Sequence, residues 1–284
     1  MWECGEIPLN VNSCDHESAV PSSVVHGPRP TAHGPRPTPL ARAVLAQTRV
    51  ELLLTLRRGE SVLITVIVPA LLLVFFASLG VAGNGEGGAG RPVDFLLPGI
   101  LALAVIATGM VSLGIATAYE RHYGVLKRLG ASPLPRAGLL LAKAIAILAL
   151  EVAQVAILLA IAAALYGWRP AGAPLVMGLA LVLGTAAFAG LGLAMAGALR
   201  AEATLAGANG LYLVFLLLSD AVLPLERLPP LVATAARGLP AAALTGALRA
   251  AFETGAPFPA LDLAILAAWA VAILVLAAHT FRWE

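Results

Sequence analysis

One stretch gathers most of the side chains able to recognise a charged partner. It reads Tyr119-Glu120-Arg121-His122-Tyr123-Gly124-Val125-Leu126-Lys127-Arg128-Leu129-Gly130-Ala131-Ser132-Pro133-Leu134-Pro135-Arg136. A charged cluster, a glycine and a short amphipathic piece precede Pro133 and Pro135, which terminate it. Such a pattern suits docking by ion pairs, and composition alone also allows a plain basic loop. Two further sites hold isolated polarity. Glu151 lies in a long apolar run with Gln154 three residues on, hence on the same helical face. A carboxylate at bilayer depth costs about 2.5–3.5 kcal/mol, so it must face protein or water. A polar patch on a substrate path and an interhelical hydrogen bond both satisfy that requirement. Asp220 sits nearer a span boundary, either on the same path or simply hydrated.

Bond-making chemistry finds no support. The two lysines, Lys127 and Lys143, do not follow glycines, which excludes a G-x-x-x-x-G-K-[ST] phosphate loop from these 284 residues. The five histidines form no H-E-x-x-H pair, and no two share one apolar run. Cys4 and Cys14, even with His16, offer too few ligands for a disulfide framework or structural zinc site. No catalytic residue, metal or cofactor is expected, and the chain does not read as an enzyme acting alone.

The elements that must position these residues are apolar helices. The chain is 60% hydrophobic and 12% charged, with a mean hydropathy of +0.90. Soluble domains carry roughly 25% charged residues, so this one is built for a bilayer. A net charge of +2 does not suggest nucleic acid. A span needs about 20 apolar residues. Six stretches qualify, near Ser61–Val81, Leu96–Ala118, Gly138–Tyr166, Pro174–Leu199, Thr204–Leu223 and Leu261–Ala278. The expected fold class is all-α: a polytopic integral membrane protein with six transmembrane helices. An interfacial helix over 40–60 should precede them, and Pro224–Ala260 should hold an outer re-entrant region before the last span. With a cytoplasmic N-terminus, thirteen Lys and Arg fall inside and five outside, Lys143 among the inner ones. Both termini are then cytoplasmic.

Residues 1–39 contain a tandem repeat, HGPRPTA and HGPRPTP, and read as a separate disordered Pro-rich tail before a permease domain over 40–284. They lack the apolar core of a secretory signal. A start site downstream of the tail is an equally open reading. Ala186, Gly190, Ala194 and Ala198 form a small-residue ridge that suits close helix packing, a dimer seam included. Tyr166, Trp168 and Trp283 read as interfacial anchors.

The 119–136 stretch resembles the E-R-E-x-G-[TV]-L-K-R-L-x-[AV]-[ST]-P-[LV]-P signature of ABC type-2 transporter permeases. Glu120, Arg121, Gly124, Leu126, Lys127, Arg128, Leu129, Ser132, Pro133 and Pro135 match, while His122 replaces an acidic residue. Ser219 to Pro229 is similar to the family's S-G-x-x-x-P-x-x-x-L-P, with Asp220 in place of the usual glycine. Among subfamilies, the daunorubicin-resistance exporters look nearest. The resemblance implies export through a permease homodimer in the plasma membrane, driven by a separate ABC ATPase subunit. Glu120, Arg121, Gly124, Leu126, Lys127 and Arg128 would then be ATPase-coupling contacts, and the cargo a hydrophobic or amphipathic drug, lipid or glycan. An ion-coupled secondary transporter and a non-transporting membrane scaffold are the alternatives.

Overall fold

Backbone N–H and C=O groups find no water in hydrocarbon, so apolar runs of this length must close their hydrogen bonds internally. They do so as helices. The structure, a computed structural model, describes residues 40–57, 59–79, 92–126, 135–169, 172–222 and 224–280, all within the unit Thr38–Glu284. The 1–39 tail, with Cys4, Cys14 and His16, lies outside the described residues, as does Trp283.

Ten α-helices follow in order among the described residues. They are α1 (Leu40–Arg57), α2 (Gly59–Ser78), α3 (Pro92–Ile106), α4 (Leu113–His122), α5 (Arg136–Tyr166), α6 (Pro174–Ala198), α7 (Ala201–Leu218), α8 (Pro230–Arg237), α9 (Pro240–Phe252) and α10 (Ala260–Thr280). A π-helical segment, Ala107–Ser112, joins α3 to α4, making one 31-residue element from Pro92 to His122. Five elements are long and apolar enough to cross a bilayer: Pro92–His122, Ala137–Tyr166, Pro174–Ala198, Ala201–Leu218 and Ala260–Ala277. Within α2, Thr65–Ser78 is a shorter apolar helix. The chain is a multi-pass, all-helical membrane protein.

Several expected boundaries move. The second span reaches His122, so Tyr119, Glu120 and Arg121 belong to a helix end rather than to a loop. The fifth ends at Leu218, not Leu223, and α7 packs against α4 after its turn from α6. The proline-broken segment forms α8 and α9, which meet at 75°. Pro230 and Pro240 each open a helix, where a missing N–H costs nothing. Helix α9 is embedded, with Leu244 and Leu248 fully buried.

One expected role is corrected by packing. Trp168 is buried edge-on against Phe252, with ring centroids 5.2 Å apart, rather than standing as an interfacial anchor. It follows Gly167, whose φ of 61° closes α5 with bonds from Gly167 N to Ala163 O and from Trp168 N to Ala162 O. The α6 small-residue ridge packs at Gly190 against its own chain. A Cβ on Gly190 would lie 3.0 Å from Ile273 Cγ2 of α10. On the other side of α6, Gly192 abuts the backbone of Gly109, Met110 and Gly114. The three glycines allow this approach because they place no side chain between the helices.

Candidate functional site

Helix α1 carries Glu51, the last turn of α4 carries Glu120, and α5 carries Lys143 two turns from its start. The three meet. Lys143 Nζ donates to Glu51 Oε2 at 2.9 Å and to Glu120 Oε2 at 2.7 Å. Its side chain is 2% exposed, against 11% for Glu51 and 15% for Glu120. Gln47 Nε2, one turn before Glu51, donates to Glu51 Oε1 at 2.9 Å. A buried ammonium requires such partners, since desolvation without them costs several kcal/mol. The bridge therefore ties three separate helices at one point.

Arg121, the next residue on α4, turns the other way. Its guanidinium donates to the carbonyl oxygens of Gly197 and Leu199, the open C-terminal end of α6. A cation there satisfies orphan carbonyls and complements the helix dipole. The chain then turns at Gly124, where φ is +70° and the amide donates to Arg121 O at 3.0 Å. Leu126 is fully buried just beyond. Tyr119 and Tyr123 stack with centroids 6.1 Å apart, and Tyr123 is 70% exposed. Lys127 and Arg128 lie outside the described residues.

A cavity of about 520 Å³ opens beside this bridge. Glu51, Glu120, Lys143, Tyr119 and Tyr123 line one end, and Thr65, Thr108 and Leu150 lie along the rest.

A second polar group lies deeper. Glu151 is fully buried, and Thr185 of α6 donates to its Oε2. Its Oε1 has no hydrogen-bond partner among the described residues. Gln154 Nε2 donates to Thr65 O at 2.7 Å, and Thr108 Oγ1 donates to Gln154 Oε1 at 3.3 Å. Both residues make interhelical hydrogen bonds in protein surroundings.

Asp220 is paired at the opposite end of α7. Its carboxylate accepts from Arg249 of α9 and, through Oδ1, from Leu225 N at 2.9 Å. Arg249 Nη2 also donates to Asp220 O at 2.9 Å, and the guanidinium sits 4.4 Å from the Phe95 ring centroid. Asp220 has φ +59°, a left-handed conformation that glycine adopts freely and aspartate tolerates. Asp220→Ala should be less stable than Asp220→Gly by about 1–2 kcal/mol, although both lose the Arg249 pair. Thermal melts of the two variants check this, and equal stability would remove the backbone explanation.

The structure thus brings Glu120, Arg121, Gly124 and Leu126 to one end of the bundle, Glu151 and Gln154 to its middle, and Asp220 to the other end. Sequence reasoning overlooked Glu51, and counted Lys143 and Arg249 only as inner-side and outer-side charges. A lysine at the sixth position of an apolar run was itself a signal that an acidic partner was needed.

The family model described as ABC-2 type transporter matches residues 42–252, well over half of the chain. The chain belongs to the ABC-2 type transporter family. It is the membrane component of an ABC transporter, a class that typically pairs with an ABC ATPase and is generally non-enzymatic itself. No curated protein matches the chain. The matched ABC-2 region includes Glu51, Glu120, Lys143, Asp220 and Arg249, whereas α10 lies beyond it.

Proposed function

We propose that this ABC-2 permease is an exporter subunit of the daunorubicin-resistance type, with a separate ATPase docking at the loop after α4. It works as a homodimer in the plasma membrane, with both termini cytoplasmic. Six spans result when α2 is counted with the five long apolar elements, and α1 lies at the inner interface. The cargo is a hydrophobic or amphipathic drug, lipid or glycan.

One observation carries the reading. The Lys143 bridge and the Arg121 clamp join α1, α4, α5 and the end of α6 at the place where the 119–136 stretch begins. Force applied to that stretch would reach four helices through rigid, charge-assisted contacts, a rocking geometry rather than a local one. Glu120 and Arg121 serve as positioning residues here, passing on what Gly124, Leu126, Lys127 and Arg128 receive.

Gly124→Val tests it without disturbing packing, because a Cβ there meets nothing within 4 Å. The positive φ makes the turn adopt another conformation, at a cost of roughly 1–2 kcal/mol. Substrate-stimulated ATP hydrolysis by the reconstituted permease and its ATPase should fall about fivefold or more. Insertion should hold, and the melting temperature should fall by only a few degrees. Unaltered coupling, or a purified permease that moves solute with no ATPase, would defeat the proposal.

A further inference from the structure

We infer that the cavity beside the Glu51–Lys143–Glu120 bridge binds an organic monocation with an apolar body. The inference rests on the export reading only in taking that ligand to be cargo. Its volume of about 520 Å³ lies within the roughly 300–1,000 Å³ of small-molecule sites. Charge decides the ligand class. Among the lining residues two carboxylates face one ammonium, a net charge of −1 in largely apolar surroundings.

The bridge leaves that excess where a ligand can use it. Glu51 Oε1 is taken by Gln47 and its Oε2 by Lys143, whereas among the described residues Glu120 is bonded only through Oε2. Glu120 is also the more exposed of the two acids. Tyr119 and Tyr123 line the same end and offer ring faces, which attract cations and repel anions. Val111, Ile115, Ile147 and Leu150 continue the wall away from the charges, room for an apolar body. An anion would meet the unbalanced carboxylate. A choline lipid would bring its phosphate beside the same group, so a free amphiphilic cation fits better than a zwitterionic headgroup.

Tetraphenylphosphonium and tetraphenylborate share shape and oppose in charge, which isolates the electrostatic claim. Binding of each to the purified full chain in phosphatidylcholine nanodiscs is measured by equilibrium dialysis against empty nanodiscs. The phosphonium should bind saturably and the borate should not. Glu120→Gln should weaken phosphonium binding about tenfold or more, as loss of a close charge contact does in low dielectric. Ala116→Phe fills the cavity without removing a charge and should abolish binding while the melting temperature is kept, which covers any folding defect in the Glu120 variant. Equal binding of both ions, no saturable phosphonium binding, or phosphonium binding that survives both substitutions would overturn the inference. The assay contains no ATPase, so its failure leaves the coupling result of Gly124→Val standing, and the reverse also holds.

Discussion

Lys143→Met should destabilise the protein by about 3–5 kcal/mol, the loss expected when a buried ion pair is broken from one side. The methionine fills much the same volume, so packing changes little. What remains is two carboxylates, 11% and 15% exposed, facing one another with no cation between them. Like charges in a desolvated pocket repel strongly. Adding Glu51→Gln and Glu120→Gln to Lys143→Met should restore most of the stability, because a neutral trio leaves no orphaned charge. Thermal unfolding in detergent, followed by a packing-sensitive fluorophore, gives both numbers. A single variant as stable as the parent would show that the bridge does not form, and a triple variant as unstable as the single would show that its charges are not the cause.

Gly192→Leu is the second large effect. A Cβ at Gly192 would stand 2.6 Å from Met110 O, closer than a side chain can approach, and 3.0 Å from Gly109 O, a tight contact. Both obstacles are backbone, so no rotamer change relieves them. The helices must separate, and the π segment Ala107–Ser112 must move with them. The cost should reach or exceed the upper end of the about 1–3 kcal/mol of ordinary overpacking. Gly178→Leu on the same helix is the control, since its Cβ meets nothing within 4 Å. Comparable melting temperatures for the two variants would rule out the close approach of α6 to the second span.

Much of this architecture was legible in the residue order. Length and apolarity require helices, because hydrocarbon offers no other partner to the backbone. The prolines at 229, 230 and 240 mark the breaks before α8 and α9, since each removes an N–H. The 119–136 stretch announces a charged element in a chain with little charge to spare. Its tertiary role was not legible. Residue order does not say that Glu120 faces inward to a lysine while its neighbour Arg121 caps a helix 76 residues away in sequence.

The amino-acid sequence by itself determined that this protein is a bundle of membrane helices in the ABC-2 family, because hydropathy and local motifs act over one or two turns. Only the tertiary structure decided which charges meet: Glu51 with Lys143 across 92 residues, and Asp220 with Arg249 across 29. The reason is physical. A buried charge must find a partner, yet the energy that selects it depends on the distance between helices, which no periodicity along the chain encodes.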